Sequence, residues 1–265
     1  MVLTEPHEPL SDALAAERAV IWHELECGAY RADMPLWREL AHDAHEQTQT
    51  DAILDIGAGS GRVSLELARA GAAVTALDID PALLGALERR AGSMAIRTVC
   101  ADARDFALER RDFALCLVPM QTIQLLGGSE RRIAFLRRAR AHLRPGGLLA
   151  CAIVTELEPF DCTVAGPGPS PESARIDGVL YQSRAVRVRL TRQLVVIERE
   201  RSILPAEQRE PAREPTWERN VVELDRLSAA RLRREGDAAG LQSAGTRTIA
   251  ATEEHVGSLV VMFRA

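Results

Sequence analysis

Apolar positions change their period along this chain, and each change marks a change of element. Between residues 12 and 27, Leu14, Ile21, Trp22 and Leu25 form one helical stripe, broken for a turn by Glu17 and Arg18, with Ser11 placed as an N-cap. After Gly28 and Tyr30 a second helix is predicted over about residues 35–45. Short apolar runs then alternate with helical patterns. Strands are expected at 53–56, 73–77, 95–100, 113–118 and 148–154. Helices are expected from Ser60 or Gly61 to near Gly71, over 81–91 with Pro81 in the first turn, and over 129–142 with Ser129 as N-cap. In the last, Ile133, Leu136, Ala139 and Leu143 share a face, so the arginines of 131–144 form its solvated side. Alternating strands and helices of this kind predict an α/β fold on a parallel sheet.

Beyond Val154 the period becomes two. Residues 179–190 and 194–204, and a third run near 217–224, read as half-buried antiparallel strands, since Val186, Val188 and Leu190 alternate with Arg187 and Arg189. Two loops interrupt them: the Gly/Pro stretch 166–171, on the ligand side of the fifth strand, and 205–215. A helix over about 228–239 ends at Gly240. Strands near 241–249 and 256–263 close the chain as a hairpin tipped by Thr252, Glu253, Glu254 and His255. The expected division is an N-terminal helical lid (1–48), a ligand-binding domain (49–154 and 227–265) and an antiparallel β insert (155–226). One apolar face of that insert needs a cover, so it is expected to close a substrate mouth or to pair two subunits.

The chemistry is concentrated at residues 55–61, Asp-Ile-Gly-Ala-Gly-Ser-Gly. Glycines there let a strand turn tightly into a helix and let a ligand approach the backbone, with the helix N–H groups facing it. Asp78 closes the next strand about twenty residues on, the distance at which an acid meets ribose hydroxyls in doubly wound folds. A dinucleotide fingerprint would have a third glycine or an alanine where Arg62 stands, and its strand does not usually carry an acid at Asp55.

These residues, with 76–81 (Ala-Leu-Asp-Ile-Asp-Pro) and the Arg-Pro-Gly-Gly turn at 144–147, resemble the class I methyltransferases that use S-adenosylmethionine. The likeness is strong over about residues 50–155. Ala58 stands where that family often has cysteine, and Ala114 where it often has aspartate. The resemblance implies a Rossmann-like, doubly wound seven-stranded sheet, six strands parallel and the last antiparallel, with the lid and the inserted antiparallel sheet added to it. It also implies S-adenosylmethionine as cofactor. Asp78 would accept from its ribose hydroxyls and Asp102 from its adenine amino group, with the N–H of Ala103 beside the ring. Asp55, Gly57, Ala58, Gly59, Gly61, Ile79 and Val118 complete the expected cofactor contacts. Small-molecule relatives place a lid aromatic against the cofactor, which makes Tyr30 a candidate; packing the lid onto the domain is its other role. Gln121, Glu156 and His255 are candidates for acceptor chemistry. Gln121 or Gln124 would orient the acceptor or satisfy the turn after the fourth strand. The insert is similar in layout to sugar-nucleotide N,N-dimethyltransferases and glycine methyltransferase-like enzymes.

Composition narrows the classes. The 33 basic residues are all arginine, which excludes P-loop NTPase and Schiff-base chemistry, since each needs a lysine amine. A net charge of −5 and the lack of an Asn/Asp-Pro-Pro-aromatic box argue against a nucleic-acid substrate. Without a long apolar run or an N-terminal signal pattern, a cytoplasmic protein with no membrane partner is expected. Cys100, Cys116 and Cys151 fall in strands and read as reduced core thiols, and His42 and His45 lack a third ligand, so no metal site is expected. The expected function is methyl transfer to an N or O atom of a small molecule. Nucleic-acid or protein methylation, and a non-catalytic cofactor-binding relative, are the alternatives.

Overall fold

A computed structural model describes residues 12–164, 169–204, 217–253 and 255–265. The Ser11 cap, part of the Gly/Pro loop (165–168), the loop 205–215 and Glu254 lie outside the described residues. Two helices, α1 (Asp12–Cys27) and α2 (Met34–Thr48), precede β1 (Ala52–Ile56), α3 (Arg62–Arg69), β2 (Ala73–Asp78), α4 (Pro81–Ala91), β3 (Ile96–Cys100) and β4 (Phe113–Val118). A 3-10 turn (Thr122–Leu125), α5 (Ser129–His142) and β5 (Leu143–Ile153) follow. Every residue of β1 and β4 is buried, as expected of parallel strands with both faces covered.

The main sheet has the order β11-β12-β5-β4-β1-β2-β3, with β11 (Gln242–Ile249) and β12 (Ser258–Arg264) contributed from the end of the chain. The pairs β1–β2, β2–β3, β1–β4 and β4–β5 are parallel, and β12 runs antiparallel to both β5 and β11. Six strands therefore share a direction and β12 opposes them, giving the Rossmann-like doubly wound sheet that the sequence predicts. The strand order reverses between β1 and β4, so a crevice opens at their carboxyl ends. Leu143, next after α5, is already extended and pairs with Phe113. Residues 144–147 bulge out of register with β4 at the start of a long β5, with Gly146 at φ 75°, so the expected turn survives as an irregularity within the strand.

A second, five-stranded antiparallel sheet comprises β6 (Phe160–Asp161), β7 (Glu172–Ile176), β8 (Val179–Leu190), β9 (Leu194–Leu204) and β10 (Trp217–Asp225), in the order β10-β9-β8-β6, with β7 beside β8. β6 and β7 are too short to carry a period and were not expected. Helix α6 (Ala229–Ala238) returns the chain to the main sheet, capped by Ser228, whose hydroxyl accepts from the Arg231 N–H.

Packing corrects two expectations, for Ser129 and Cys100, and bears on the open alternative for Gln124. Ser129 is the first residue of α5 and not its cap; Gly128 holds that position, and the Ser129 hydroxyl donates to Glu235 (2.7 Å). Gln124 does not face an acceptor. It is buried, donates to the carbonyls of Val154 and Asp225, and accepts from the Val154 N–H, so it fastens the end of β5 to the end of β10. Cys100 is exposed, at the end of an edge strand, whereas Cys116 and Cys151 are in the core.

The insert and the main domain also share a buried ion cluster. Arg132 of α5 is fully buried; it donates to both oxygens of Glu235 (2.7 Å each) and pairs with Asp225. Burial alone would raise the Glu235 carboxyl, but hydrogen bonds from Arg132 and Ser129 and the Arg132 charge outweigh it and hold it low. Removing the cation strands two carboxylates, a change that costs about 3–5 kcal/mol in buried pairs. Arg132→Met should therefore lower the unfolding free energy in urea by about that amount. A loss below about 1 kcal/mol would mean that solvent already screens the cluster.

Candidate active site

The turn from β1 into α3 places Gly57, Gly59 and Gly61 at φ of 70°, 55° and 96°, where side chains other than glycine are strained. Each also yields its Cβ space to a different element: Thr122 beyond β4 at Gly57, the His23 ring of α1 at Gly59, and Leu87 of α4 at Gly61. Beside the turn lies a crevice of about 380 Å³, within the range of small-molecule sites. The fully buried Asp55 forms part of its wall. One carboxylate oxygen of Asp55 accepts from the Ser64 hydroxyl (2.6 Å), and the other is buried without a partner.

Of the residues expected to hold a cofactor, Asp55, Gly57, Ala58, Asp78, Ile79, Asp102 and Ala103 line this crevice. Asp78 accepts from the N–H groups of Gly59 (2.7 Å) and Asp80 (2.9 Å), which fixes its carboxylate at the end of β2. Asp102 is held by Arg104: the guanidinium Nε reaches both carboxylate oxygens (2.8 and 2.9 Å), and these bonds keep the carboxyl below its ordinary range. Arg104 also lines the crevice, so a ligand amino group would share Asp102 with it. Ile79 and Leu125, 65% and 54% exposed, are large apolar side chains on the crevice wall, a surface suited to a flat ring.

The other expected residues lie elsewhere. Gly59 and Gly61 are outside the lining and serve packing, and Val118 is buried within β4. Tyr30 is a wall behind the crevice: its ring meets His255 (4.9 Å between centroids) and the Arg62 guanidinium (5.2 Å). Gln121 is the one acceptor-chemistry candidate on the crevice, next to Met120, a non-glycine residue at φ 53°. Glu156 lines a separate cleft against the 248–259 hairpin, and His255 sits against Tyr30.

Several lining residues escaped sequence reasoning, because their role is set by contacts across tens of residues. His23 of the lid enters the crevice with Nδ1 at 3.0 Å from the Ser60 hydroxyl; desolvation lowers its pKa against the pull of Glu24 and Asp78, which keeps the ring neutral. Glu24 is bound by Ser60 and Arg90. Arg62 forms a buried two-point pair with Asp33 (2.6 and 2.7 Å) and donates to the Tyr30 carbonyl, tying the lid to the first turn of α3. Cys27 also lines the crevice, but burial above all raises its thiol to about 11, so it is no ready nucleophile.

Comparison with known proteins agrees with this geometry. Residues 53–147 match a family model described as a methyltransferase domain. The chain is 34% identical over 104 residues to the Cypemycin N-terminal methyltransferase of Streptomyces sp; the match covers 39% of this chain and 42% of that relative. Among solved structures, it resembles a sugar N-methyltransferase from Streptoalloteichus sp ATCC 53650 (TM-score 0.67, 17% identity, 100% of both chains). It also resembles an amino pentose methyltransferase from Micromonospora echinaspora, solved with S-adenosylmethionine bound (TM-score 0.64, 19% identity, 98% of this chain and 100% of that one). At such identities these two likenesses concern the fold. No helix among the described residues is long and apolar enough to cross a membrane.

Asp55 gives the site a pH signature. Burial, opposed by the Ser64 hydrogen bond and the Arg62 charge, raises its carboxyl from 3.8 to about 6. A folded value above the unfolded one means tighter proton binding in the native state. Its contribution to stability is therefore present below 3.8 and lost as pH rises through about 6. At about 1.4 kcal/mol per pH unit the loss is roughly 3 kcal/mol. Asp55→Asn keeps the shape and removes the charge. In urea unfolding of the unliganded protein, the wild type should lose roughly that much relative to Asp55→Asn between pH 4 and 7; parallel pH profiles would show that the carboxylate is solvated.

Proposed function

We propose that the protein is an S-adenosylmethionine-dependent methyltransferase that methylates an amine nitrogen of a small-molecule acceptor. The observation that carries the reading is the buried, unpartnered carboxylate oxygen of Asp55, beside a crevice that also presents Gly57, Asp78 and Asp102. An unpaired buried acceptor is costly, and a cationic amino group from a ligand would satisfy it. Asp78 keeps lone pairs free for ribose hydroxyls beyond the two it spends on backbone N–H groups. Ile79 offers apolar surface to a purine, and Asp102 is ready to accept from its amino group once Arg104 shares the site. The residues present therefore fit the cofactor.

When bound, S-adenosylmethionine supplies an electrophilic methyl group on sulfonium. The chain's part is to align the acceptor and exclude water. Alignment of reactants alone can contribute several kcal/mol to such a displacement. The lid, fixed by His23–Ser60 and Arg62–Asp33, covers the glycine turn, and Gln121 presents an amide on the crevice wall. A base is required only for an amine that arrives protonated. Nitrogen is favoured because the name of the sugar-methylating neighbour specifies it. A peptide N-terminus is the second reading, favoured by the identity with the cypemycin enzyme.

Calorimetry with S-adenosylhomocysteine tests the site. Asp78→Asn should weaken binding by about 1.5–3 kcal/mol, the scale of hydrogen bonds to a charged group. Asp80 accepts from Ala82 and Leu83 N–H groups as the cap of α4. Asp80→Ala should cost about 1 kcal/mol of stability and leave affinity nearly unchanged. A folded wild type that binds neither S-adenosylmethionine nor its demethylated product at millimolar concentration refutes the reading. Transfer of labelled methyl to small amines but not to peptides with free N-termini decides between the two acceptors.

A further inference from the structure

A second cleft, of about 350 Å³, lies where the end of β5 meets the β8–β9 turn and the start of α6. It shares no lining residue with the crevice, and the Gln124 side chain, bonded to Val154 and Asp225, stands between them. Three arginines, Arg192, Arg226 and Arg231, line it, with no acidic side chain among the described lining residues. The imbalance is local, because the whole chain carries a net charge of −5.

Elsewhere on the insert, most described guanidinium groups face a carboxylate; Arg175, which donates to the Gly178 carbonyl, is an exception. Arg184 pairs with Glu200, Arg187 with Asp161, and Arg189 and Arg219 with Glu198. In the cleft they are not so matched. Arg192 has no side-chain partner among the described residues. Arg226 spends one nitrogen on the Thr191 carbonyl (2.8 Å), a neutral group. Arg231 reaches Glu235 only at 3.3 Å, and that carboxylate is already bound by Arg132 and Ser129. The frame is fixed: the Arg226 N–H donates to the Gln193 carbonyl (2.7 Å), and its side chain to Thr191, so the β8–β9 turn and the β10–α6 link are tied together. Leu157, Val195 and Leu227 add an apolar floor.

We propose that this cleft binds a phosphate-type anion. Guanidinium forks match phosphate oxygens geometrically and remain charged at every working pH. Among the described residues the three share only the Glu235 carboxylate, which Arg132 already binds, so they repel one another until an anion enters. The apolar floor suits an organic phosphate, whereas a free phosphate would use the arginines alone. The proposal does not rest on methyl transfer, since the cleft and its probes are independent of the crevice.

Titration calorimetry at low salt, on the whole chain, uses inorganic phosphate and phenyl phosphate as probes. Both should bind the wild type, more weakly as sodium chloride is added. Arg192→Ala should weaken binding on the order of tenfold, and Arg192→Ala with Arg231→Ala further still, with S-adenosylhomocysteine affinity unchanged. Arg192 makes no side-chain contact that the fold needs, so its removal should leave the melting temperature in place. Tighter binding of phenyl phosphate assigns the site to an organic phosphate, and equal binding assigns it to free phosphate. Absence of binding to the wild type, or variants that bind as well as it does, overturns the proposal. Loss of S-adenosylhomocysteine binding in the wild type would instead refute the methyltransferase reading and leave the phosphate result standing.

Discussion

At Gly57, Gly59 and Gly61 the backbone has no room for side chains, and the rest of the site is arranged around that lack of room. Thr122 fills the space at the first glycine, His23 at the second and Leu87 at the third, so the loop after β4, the lid and α4 all seat on one five-residue turn. A Cβ at any of these positions would collide with the side chain seated there, and close-packed interiors absorb such shifts poorly. The left-handed backbone angles make the same demand independently. Because the turn is held from three sides, the Asp55 oxygen that faces no partner stays buried and does not find one by rearrangement.

Helix α1 of the lid depends on charge more than on apolar area, whereas α2 seats Trp37 and Leu40 in the core. Ile21 and Trp22 are the buried residues of α1, too few to fix a helix by hydrophobic burial alone. Its orientation is set by polar contacts on several sides. Glu24 meets Ser60 and Arg90 of the main domain, and Glu26 takes both guanidinium nitrogens of Arg201 (2.7 Å each) and the Ser183 hydroxyl from the insert. Burial would raise the Glu26 carboxyl, but the bonds from Arg201 and Ser183 outweigh it. Trp22 lies between the Tyr181 ring and the Arg201 guanidinium. Helix α1 and the insert are therefore tied together. Buried ion pairs of this sort specify geometry rather than add much net stability.

What was legible in the sequence was whatever repeats locally. A helical period marks Pro81–Ala91 and an unbroken apolar run marks Phe113–Val118, and the acid at the end of β2 follows from its distance to the glycines. Contacts without a period were not legible. His23 meets Ser60 across 37 residues, Arg62 meets Asp33 across 29 and Arg201 meets Glu26 across 175, so no window of the sequence contains both partners. Ser129 shows the converse error. A serine before a helical stripe looks like a cap, but Glu235, over a hundred positions away, accepts its hydroxyl. Cys100 was misjudged because a strand was taken for a core strand, while β3 is the sheet's edge.

The insert's alternation raised the question of what covers its apolar face, and the register answers it. Cross-strand partners share a face, so Val188, Val195, Ile197, Val222 and Leu224 lie together, and with Leu157 and Phe160 they form a small core. Farther along the same face, Tyr181, Ser183 and Arg201 meet α1. The opposite face carries Arg184 with Glu200, and Glu198 under Arg187, Arg189 and Arg219. Burial would raise the Glu198 carboxyl, but the Arg189 hydrogen bond and the surrounding arginine charges hold it low. The apolar face is thus used up within the chain, and covering it requires no second subunit. What a second copy could still use is the free edge of β10, where Glu218, Arg219 and Glu223 put charge on an exposed strand. Charged edges of this kind oppose strand-to-strand pairing, so the alternation that suggested a partner is accounted for by the lid and a core of the chain's own.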